Sequence, residues 1–323
     1  MKEKILSTRS PLGEPIALYK NIWEGNNPRK SLAIVAGLQG DSLNGVWVAA
    51  KLSRFMREIE DGRETDYQLT GTVQIFPVVN IRAFESASPA WSFDNLNMDM
   101  AFPGNESGDL NEKISAALLD HTSGSTYGLV LQTGEEHYED YPHLKLFASS
   151  RKKRRLAGFF NLAIARTVQN IPPRNLHLAS HWEDNNVQAF IISAGRAKSV
   201  DHKICDLMFG GILNFMLEAG LLTHGAIKSG KSDIRFYGPE NELVILSPAS
   251  GLFKAEVDVG SEVKKGQALG HLLDIYSGET VGQAVAPESG QLVSLLRHPV
   301  AHKQAPLAVI LTGEKRRWPW HFL

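Results

Sequence analysis

Short apolar segments alternate with amphipathic helical patterns along this 323-residue chain as far as about Leu222, and this alternation constrains the fold more than any other feature. The strand-like segments are apolar on both faces, which is typical of buried strands in a mainly parallel sheet. They are Leu32–Ala36, Thr72–Val79, Gly128–Gln132 and Val187–Ile192. The sequence therefore predicts an α/β fold: a mainly parallel or mixed sheet flanked by helices, with a functional site at the carboxyl ends of the strands.

Apolar residues at helical spacing, such as Ala49, Phe55 and Met56, predict the helices between these strands. The segment Asn175–Ser180 resembles a strand more than a helix. His177 and His181 are four residues apart, but without a helix through both they need not share a face, so we do not predict a metal pair there. The predicted helices are Asn44–Asp61, Asn111–Leu119, Leu144–Ala165 and Val200–Leu221.

From about Ser247 the pattern changes, because glycines separate short strand-like pieces and no helical pattern remains. Ser247–Gly251 recurs as Ala286–Gly290, and Val263–Gln267 is echoed less well by Val300–Gln304. Two similar half-motifs predict a small pseudo-symmetric β-sandwich or barrel of the biotinyl/lipoyl type. We expect residues 1–235 to form the α/β domain and residues 236–323 to form this C-terminal β-domain.

Carrier domains of the biotinyl/lipoyl type present a modifiable lysine at the hairpin between their halves. The corresponding stretch here, Asp274–Thr280, contains no lysine. This favours a docking or lid domain over a carrier. An adaptor that works through the C-terminal domain is nevertheless one functional hypothesis.

Composition excludes several classes of protein. There are 34 Lys and Arg residues against 35 Asp and Glu residues, a net charge of -1 that creates no global field for nucleic acid or an anionic membrane. Mean hydropathy is -0.18, and no apolar run approaches the length of a membrane span. The single cysteine, Cys205, excludes an internal disulfide and a multi-cysteine zinc site. A polar stretch follows Lys2 and Lys4 where a signal peptide needs an apolar core, so we predict a cytoplasmic protein.

Five short motifs occur in an order that resembles the succinylglutamate desuccinylase/aspartoacylase family, which has a zinc-carboxypeptidase-like fold. The resemblance spans nearly the whole chain, since many members carry a similar C-terminal β-domain. It implies the same fold for this protein. The motifs are Ala36–Gly45, Asn80–Ala83, Asn97–Gly104, Leu119–Thr122 and Ile191–Gly195.

The resemblance also implies a chemistry, and this sequence departs from it. In the family, a His and a Glu from the first motif and a later His hold zinc, which leaves a fourth position for water. Gln39 and Ser42 stand at the first two of these positions, and His121 matches the third. A neutral amide oxygen is a poor substitute for imidazole on zinc. His121 is therefore either the remaining ligand of an altered site or a hydrogen-bonded structural histidine.

The catalytic and substrate-binding positions are altered as well. Ser193 stands where the family has its proton-accepting Glu, and a serine hydroxyl cannot act as a general base near neutral pH. Asp99 and Met100 replace the Asn-Arg pair that contacts substrate. Arg82 is the remaining candidate for gripping a substrate carboxylate, unless it has a structural partner such as Asp94 or Asp99.

Our first functional hypothesis is therefore a pseudoenzyme with a degenerate metal site. It would bind a small anionic or acyl-amino-acid-like ligand, as a homo-oligomer or beside an active relative, with no cofactor. The alternative is a metal-dependent hydrolase of N-acyl amino acids or related amides, rebuilt around His121 and the carboxylates Asp41, Asp99 and Asp120. Zinc would be its cofactor if the family site is retained in altered form. Neither hypothesis involves nucleic acid or a membrane.

Two charged segments stand apart from these motifs. Arg151–Arg155 is a run of basic residues in a helical pattern. Most such runs are solvated helix faces, and without interleaved aromatic residues this one is a weak nucleic-acid signal, although it could bind an anionic partner locally. Trp318, Trp320 and Phe322 follow Lys315–Arg317, and we expect this aromatic tail to pack on the body or on a partner subunit.

Overall fold

The computed structural model describes residues 1–10, 12–91, 95–147, 149–168 and 176–313. The helices are α1 (Leu43–Glu60), α2 (Ile81–Glu85), α3 (Leu110–Thr122), α4 (Arg151–Ala157), α5 (Leu178–Asp184) and α6 (His202–Ala219). The strands are β1 (Lys2–Arg9), β2 (Pro15–Glu24), β3 (Ser31–Ala36), β4 (Tyr67–Leu69), β5 (Thr72–Phe76), β6 (Tyr127–Gln132), β7 (Tyr138–Leu146), β8 (Ile164–Thr167), β9 (Gln188–Arg196), β10 (Leu222–His224), β11 (Arg235–Tyr237), β12 (Glu242–Leu246), β13 (Gly251–Ala255), β14 (Glu262–Val263), β15 (Ala268–Leu273), β16 (Thr280–Val285), β17 (Gly290–Leu296), β18 (Val300–Ala301) and β19 (Pro306–Leu311).

A large mixed sheet runs through the molecule in the order β1-β2-β5-β3-β6-β9-β7-β17-β19-β12. Its central strands β5, β3, β6 and β9 are parallel neighbours, while β2 and β7 flank them in antiparallel pairs. Helices α1 and α6 cover one face, and α3 and α5 the other. The predicted α/β class is therefore confirmed.

The buried runs of the sequence form the central strands as expected. Every residue of β6 is buried, as are five consecutive residues of β3. On one face of β6, Gly128 leaves room for the indole of Trp182, because a Cβ there would lie 2.2 Å from the ring. The Trp182 Nε1–H donates a hydrogen bond of 2.9 Å to Thr122 Oγ1, which fixes α5 against α3. The predicted helices Asn44–Asp61, Asn111–Leu119 and Val200–Leu221 are confirmed as α1, α3 and α6.

Two local predictions were wrong. The segment predicted as one helix, Leu144–Ala165, contains the end of β7, the short helix α4 and the start of β8. Its apolar residues recur at a spacing that also fits a buried strand, and pairing of β7 with β9 decided between the two. In the stretch predicted as the strand Asn175–Ser180, the described part leads into α5, which begins at Leu178.

The C-terminal segment joins the main sheet instead of standing apart from it. Strand β17 pairs antiparallel with β7, and β19 and β12 extend the sheet beyond it. A second sheet, in the order β16-β15-β13-β18, packs over these strands around Phe253, Leu269 and Leu292. The division into domains at residues 235 and 236 stays a prediction.

The weak internal repeat corresponds to a pseudo-twofold arrangement of hydrogen bonds. Ser289 Oγ accepts a hydrogen bond of 2.9 Å from the Lys265 N–H, and Ser250 Oγ accepts one of the same length from the Lys303 N–H. Each short strand likewise pairs with a strand of the other half, since β14 pairs with β17 and β18 pairs with β13. The serine of each half-motif thus caps a turn in the other half.

The second half of the repeat is displaced by one residue from the alignment that the sequence suggests. The Gly266 N–H donates to the Ala286 carbonyl at 2.7 Å, and the Gln304 N–H donates to the Ser247 carbonyl at 2.9 Å. Gly266 and Gln304 both have positive φ, +83° and +67°, so they occupy the same position of the two turns. Backbone conformation therefore shows which positions of the two halves are equivalent, whereas residue identity suggests an alignment that is one residue off.

Among the described residues, no helix has the length and hydrophobicity needed to cross a membrane. The aromatic tail, including Trp318, Trp320 and Phe322, lies outside the described residues.

We predict that Gly290→Ala will destabilise the protein by about 2 kcal/mol or more. A Cβ at Gly290 would lie 2.4 Å from the Leu311 carbonyl oxygen of the paired strand β19, so β17 and β19 would have to separate. Gly210→Ala is the matched control, since Gly210 lies on α6 with no atom within 4 Å of the added methyl group. The control should leave stability unchanged or raise it by up to about 1 kcal/mol. Urea denaturation measures both, and equal stability of the two variants would contradict the prediction.

Candidate functional site at the carboxyl edge of the sheet

Gln39 and Ser42 lie in the tight connection between the end of β3 and the start of α1. The connection crosses α2 closely, since a Cβ at Gly40 would lie 2.0 Å from the Ala83 carbonyl carbon. Gly37 has a φ of +64° and faces the backbone of Val78. These glycines hold the loop against the end of β5, so that both polar side chains are presented at the carboxyl edge of the parallel strands.

Ser42 connects this loop with the end of β6. The Ser42 hydroxyl lies 3.4 Å from Gln39 Oε1 and 3.1 Å from Thr133 Oγ1, and it is almost fully buried. Thr133 directly follows the last residue of β6. Gln39, Ser42 and the end of β6 therefore form one contiguous polar group, as the parallel topology predicts.

Gln132, the last residue of β6, orients a carboxylate at the same edge. Its Nε2 donates a hydrogen bond of 2.9 Å to Asp99 Oδ2, and the same oxygen lies 3.4 Å from His177 Nδ1. The Asn97 side chain accepts a hydrogen bond from the Asp99 N–H and begins the 3₁₀ turn Met98–Met100, which places Asp99 here. Asp99 thus joins the end of β6 to the start of α5.

Hydrogen bonding to Asp99 raises the pKa of His177 above its ordinary value, and this outweighs both partial burial and the nearby charge of Lys145. The His177 side chain is 33% exposed, so it is partly open to solvent at this edge. The raised pKa favours the cationic form of the imidazole.

Ser193 lies on β9 beside a buried carboxylate of the neighbouring strand. Its hydroxyl donates a hydrogen bond of 2.6 Å to Asp140 Oδ2 and lies 3.1 Å from the Thr133 carbonyl oxygen. Ser193 is completely buried, and Asp140 is nearly so. The Lys145 ammonium, 24% exposed, lies 3.9 Å from Asp140 Oδ2. The serine therefore belongs to a salt-bridged network in which Lys145 is the most exposed of the three side chains.

Burial alone would raise the pKa of Asp140, but the Lys145 charge, the charge that His143 gains at acid pH, and hydrogen bonds from Ser193 and Ser294 hold it below its ordinary value. A carboxylate with a lowered pKa is a weak proton acceptor. Asp140 consequently stabilises the network as an anion and is poorly suited to replace a catalytic Glu. Ser294 belongs to β17, so the C-terminal segment contributes directly to this site.

His143, also on β7, is neutral. Its Nδ1–H donates to the Tyr141 carbonyl at 2.7 Å, and Nε2 lies 3.4 Å from the Arg166 guanidinium. Complete burial lowers the pKa of His143 to about 3, and the Arg166 charge contributes to this. Arg166 forms a bidentate pair with Glu242 at 2.8 and 2.6 Å. This cluster connects β7, β8 and β12 structurally.

His121 is not brought together with Gln39 and Ser42. It lies in the last turn of α3, where its Nδ1 is 3.4 Å from the Lys20 ammonium and its carbonyl accepts a hydrogen bond from Gln74 Nε2. Gln74 is level with Gly128 across the sheet, four residues before Gln132. That offset is about 13 Å along the strand. The motif Leu119–Thr122 precedes β6 in the chain, whereas residues that reach this edge must lie at the end of β6 or after it.

Arg82 lies at the edge, in the first turn of α2, and its partners are Glu14 at 2.7 Å and Glu85 at 3.1 Å. Hydrogen bonds to these two carboxylates raise the pKa of the guanidinium. Asp99, one of the two partners that the sequence suggested, bonds instead to Gln132 and His177. The other, Asp94, lies outside the described residues.

The carboxylates proposed for a rebuilt metal centre do not converge. Asp120 is exposed at the end of α3, away from Asp99. Asp41 is buried beside Ser42, and its Oδ2 accepts no hydrogen bond; burial raises its pKa. Within the described residues, no group of three or more His, Cys, Asp or Glu side chains is arranged to hold a metal ion. Met100 is 37% exposed beside Asp99 and offers only a thioether.

Zinc, which the fold implies, does not fit the donors at Gln39, Ser42 and Gln132. Gln39 and Gln132 offer amide groups and Ser42 offers a hydroxyl that is already bonded to Gln39 or Thr133. His177 and Asp99 lie at the same edge but contact each other, and among the described residues they belong to no group of three such ligands. Zinc in proteins is held by imidazole, thiolate or carboxylate ligands. We therefore assign no metal-dependent step to these residues.

Sequence reasoning missed Gln132, Asp140 and Lys145. Gln132 could have been found, because it ends a buried strand next to the strand that leads into Gln39 and Ser42. Asp140 and Lys145 lie on β7, whose end the sequence assigned to the predicted helix Leu144–Ala165. No local sequence pattern indicates that β7 pairs with β9.

We predict that Asp99→Asn will lower the pKa of His177, because the raised pKa depends mainly on that carboxylate. The pair is fully formed below the ordinary His pKa and is lost as pH rises through the raised value. Titration of the His177 ring protons by NMR measures this. Asp120→Asn, an exposed change of the same charge, is the control and should leave the titration unchanged. An equal His177 pKa in the wild type and in Asp99→Asn would contradict the assignment.

Comparison with known proteins identifies which proteins share this fold. No protein-family profile matches the sequence. The curated N-alpha-acetyl-L-2,4-diaminobutyric acid deacetylase of Halomonas elongata is 22% identical over 289 residues, which cover 85% of this chain and 79% of the deacetylase. A succinylglutamate desuccinylase/aspartoacylase structure from Rhodobacter sphaeroides superimposes with a TM-score of 0.81 at 15% identity, covering 98% and 96% of the two chains. The product-bound ectoine utilization protein of Ruegeria pomeroyi gives 0.79 at 17% identity, covering 96% and 93%. The chain therefore has the fold of the succinylglutamate desuccinylase/aspartoacylase proteins.

Proposed function

We propose that this chain is a divergent member of the succinylglutamate desuccinylase/aspartoacylase family that binds a small N-acyl amino acid or a related anion without zinc-water hydrolysis. One observation carries the proposal: the carboxyl edge of β3 and β6 presents the neutral side chains Gln39, Ser42 and Gln132. We assign Gln132, in place of His121, to the third ligand position. Thr133, its neighbour, touches Ser42, and Ser42 touches Gln39.

The cleft retains features that suit an anionic ligand. The Lys145 ammonium and the His177 imidazolium lie close enough for the lysine charge to lower the pKa of the histidine. Each is only partly neutralised, Lys145 by buried Asp140 at 3.9 Å and His177 by Asp99 at 3.4 Å. A ligand carboxylate placed between them would form charge-assisted hydrogen bonds to both.

At the position where the family has its proton-accepting Glu, this chain has Ser193. Ser193 donates its proton to Asp140, so its hydroxyl is committed to that bond. Asp140 is buried and its pKa is lowered, which makes it a weak base. Bound ligand would therefore be held and not cleaved. Such a protein could serve as a binding subunit, either as a homo-oligomer or beside an active relative.

We predict that the wild-type chain, purified without chelators, will contain far less than one zinc per chain. The triple variant Gln39→His/Ser42→Glu/Gln132→His should acquire zinc binding, since it restores two imidazoles and one carboxylate at the proposed ligand positions. The double variant Gln39→His/Ser42→Glu, which retains His121, is the control and should not. Elemental analysis measures all three. Stoichiometric zinc in the wild type would refute the proposal. Zinc in the double variant would support His121 as the third ligand.

The second test concerns the ligand. Isothermal titration with N-alpha-acetyl-L-2,4-diaminobutyrate and N-acetyl-aspartate should show saturable binding that weakens as pH rises through the raised pKa of His177. His177→Gln should weaken binding about tenfold, the value of one charge-assisted hydrogen bond, and flatten the pH dependence. His181→Gln, one turn along α5, is the matched control. Absence of binding would refute the ligand class.

Turnover distinguishes the two functional hypotheses. The same acyl amino acids, incubated with protein and added zinc, magnesium or manganese, should release no free amine. Metal-dependent release that is lost in His177→Gln would overturn the non-catalytic proposal and support a rebuilt hydrolase instead. Release that survives this substitution and also occurs in a mock purification from cells that lack this chain comes from a contaminating enzyme, whereas release that is absent from the mock purification would overturn the proposal.

A further inference from the structure

A second polar feature shares no residue with the polar group at the carboxyl edge of the sheet. Helix α4 and the segment around Lys231 border a groove of about 910 Å³. Its lining consists of basic side chains and one aromatic ring, and among the described residues it contains no carboxylate. We call it the basic groove. Its lining residues are Arg151, Lys152, Arg154, Arg155, Lys231 and Phe236.

The fold holds several of these cations in place. The Arg154 guanidinium lies 4.2 Å from the centre of the Phe236 ring, an arrangement that stabilises it without neutralising its charge. The Lys231 side chain packs over Gly158, where an added Cβ would lie 2.9 Å from Lys231 Cε. The absence of a side chain at Gly158 thus admits Lys231 to the groove.

The arrangement leaves a concentrated positive charge. Arg155 is paired with Glu218, and Lys153, on the buried face of α4, is paired with Glu183. In the described part of the chain, Arg151, Lys152 and Lys231 form no ion pair. Like charges at this spacing repel one another, so the groove is electrostatically destabilised until an anion enters it.

We propose that the basic groove binds a small oligophosphate, a ligand with several phosphate groups in a row. Arginine forks match phosphate oxygens bidentately, and flexible lysines add point charges from the opposite wall. The volume suits a small molecule. An extended nucleic acid would need a longer basic track with aromatic stacking, whereas Phe236, the one aromatic ring among the described lining residues, already contacts Arg154.

Isothermal titration of the full chain with inorganic triphosphate at about 0.15 M salt tests this proposal. We expect saturable binding that weakens as salt is raised. Arg151→Ala/Lys152→Ala should weaken binding tenfold or more, since each substitution removes a charged hydrogen-bond donor. Both residues are exposed, so folding should be preserved. Lys231→Gln provides a second, independent loss on the opposite wall.

Arg54→Ala/Arg57→Ala is the matched control, because it removes two exposed cations from α1 and changes the net charge equally. Its affinity for triphosphate should stay within twofold of the wild type. Citrate, which carries three carboxylates, should bind at least tenfold more weakly than triphosphate. Absence of saturable binding, equal losses in the groove and control variants, or citrate binding as tight as triphosphate would each overturn the proposal.

Discussion

The parallel ladder of β5, β3, β6 and β9 is the constraint on which the rest of the structure depends. Its strands are buried on both faces, and their backbone groups are paired with one another and with the flanking strands β2 and β7, so their register cannot slip. Because all four run the same way, the loops that follow them converge at one edge. Gln39, Ser42, Gln132 and Ser193 meet there for that reason. His121 precedes its strand and is excluded by the same geometry.

Around this edge the ionisable groups are arranged in pairs with different consequences. Asp99 raises the pKa of a partly exposed histidine, which favours the charged form of that ring. Lys145 and Ser193 help to hold the pKa of the buried Asp140 below its ordinary value, so that carboxylate is a counter-ion to the lysine. The hydrogen bond from Ser294 extends this network into the C-terminal segment, which is thus part of the site as well as of the sheet.

The C-terminal repeat shows how a weak sequence signal can reflect a strong structural rule. Ser250 and Ser289 recur because each caps a turn in the other half, and Gly251 and Gly290 recur because a paired carbonyl oxygen occupies the space of a side chain. The turn positions Gly266 and Gln304 differ in identity but share a positive φ. Side chains that make no contact common to both halves are free to differ. An alignment of the two halves by residue identity therefore differs by one residue from the structural one.

The sequence by itself determined the α/β class, the central strands, the three long helices and the neutral character of Gln39, Ser42 and Ser193. These follow from hydrophobic periodicity and residue chemistry, which are local properties. Only the tertiary structure decided that β7 is a strand, that Gln132 and not His121 reaches the edge, and that Asp140, Lys145 and His177 surround it. Those outcomes depend on pairing between residues far apart in the chain, such as β7 with β9 and β17, and no local pattern encodes which strand a segment will join.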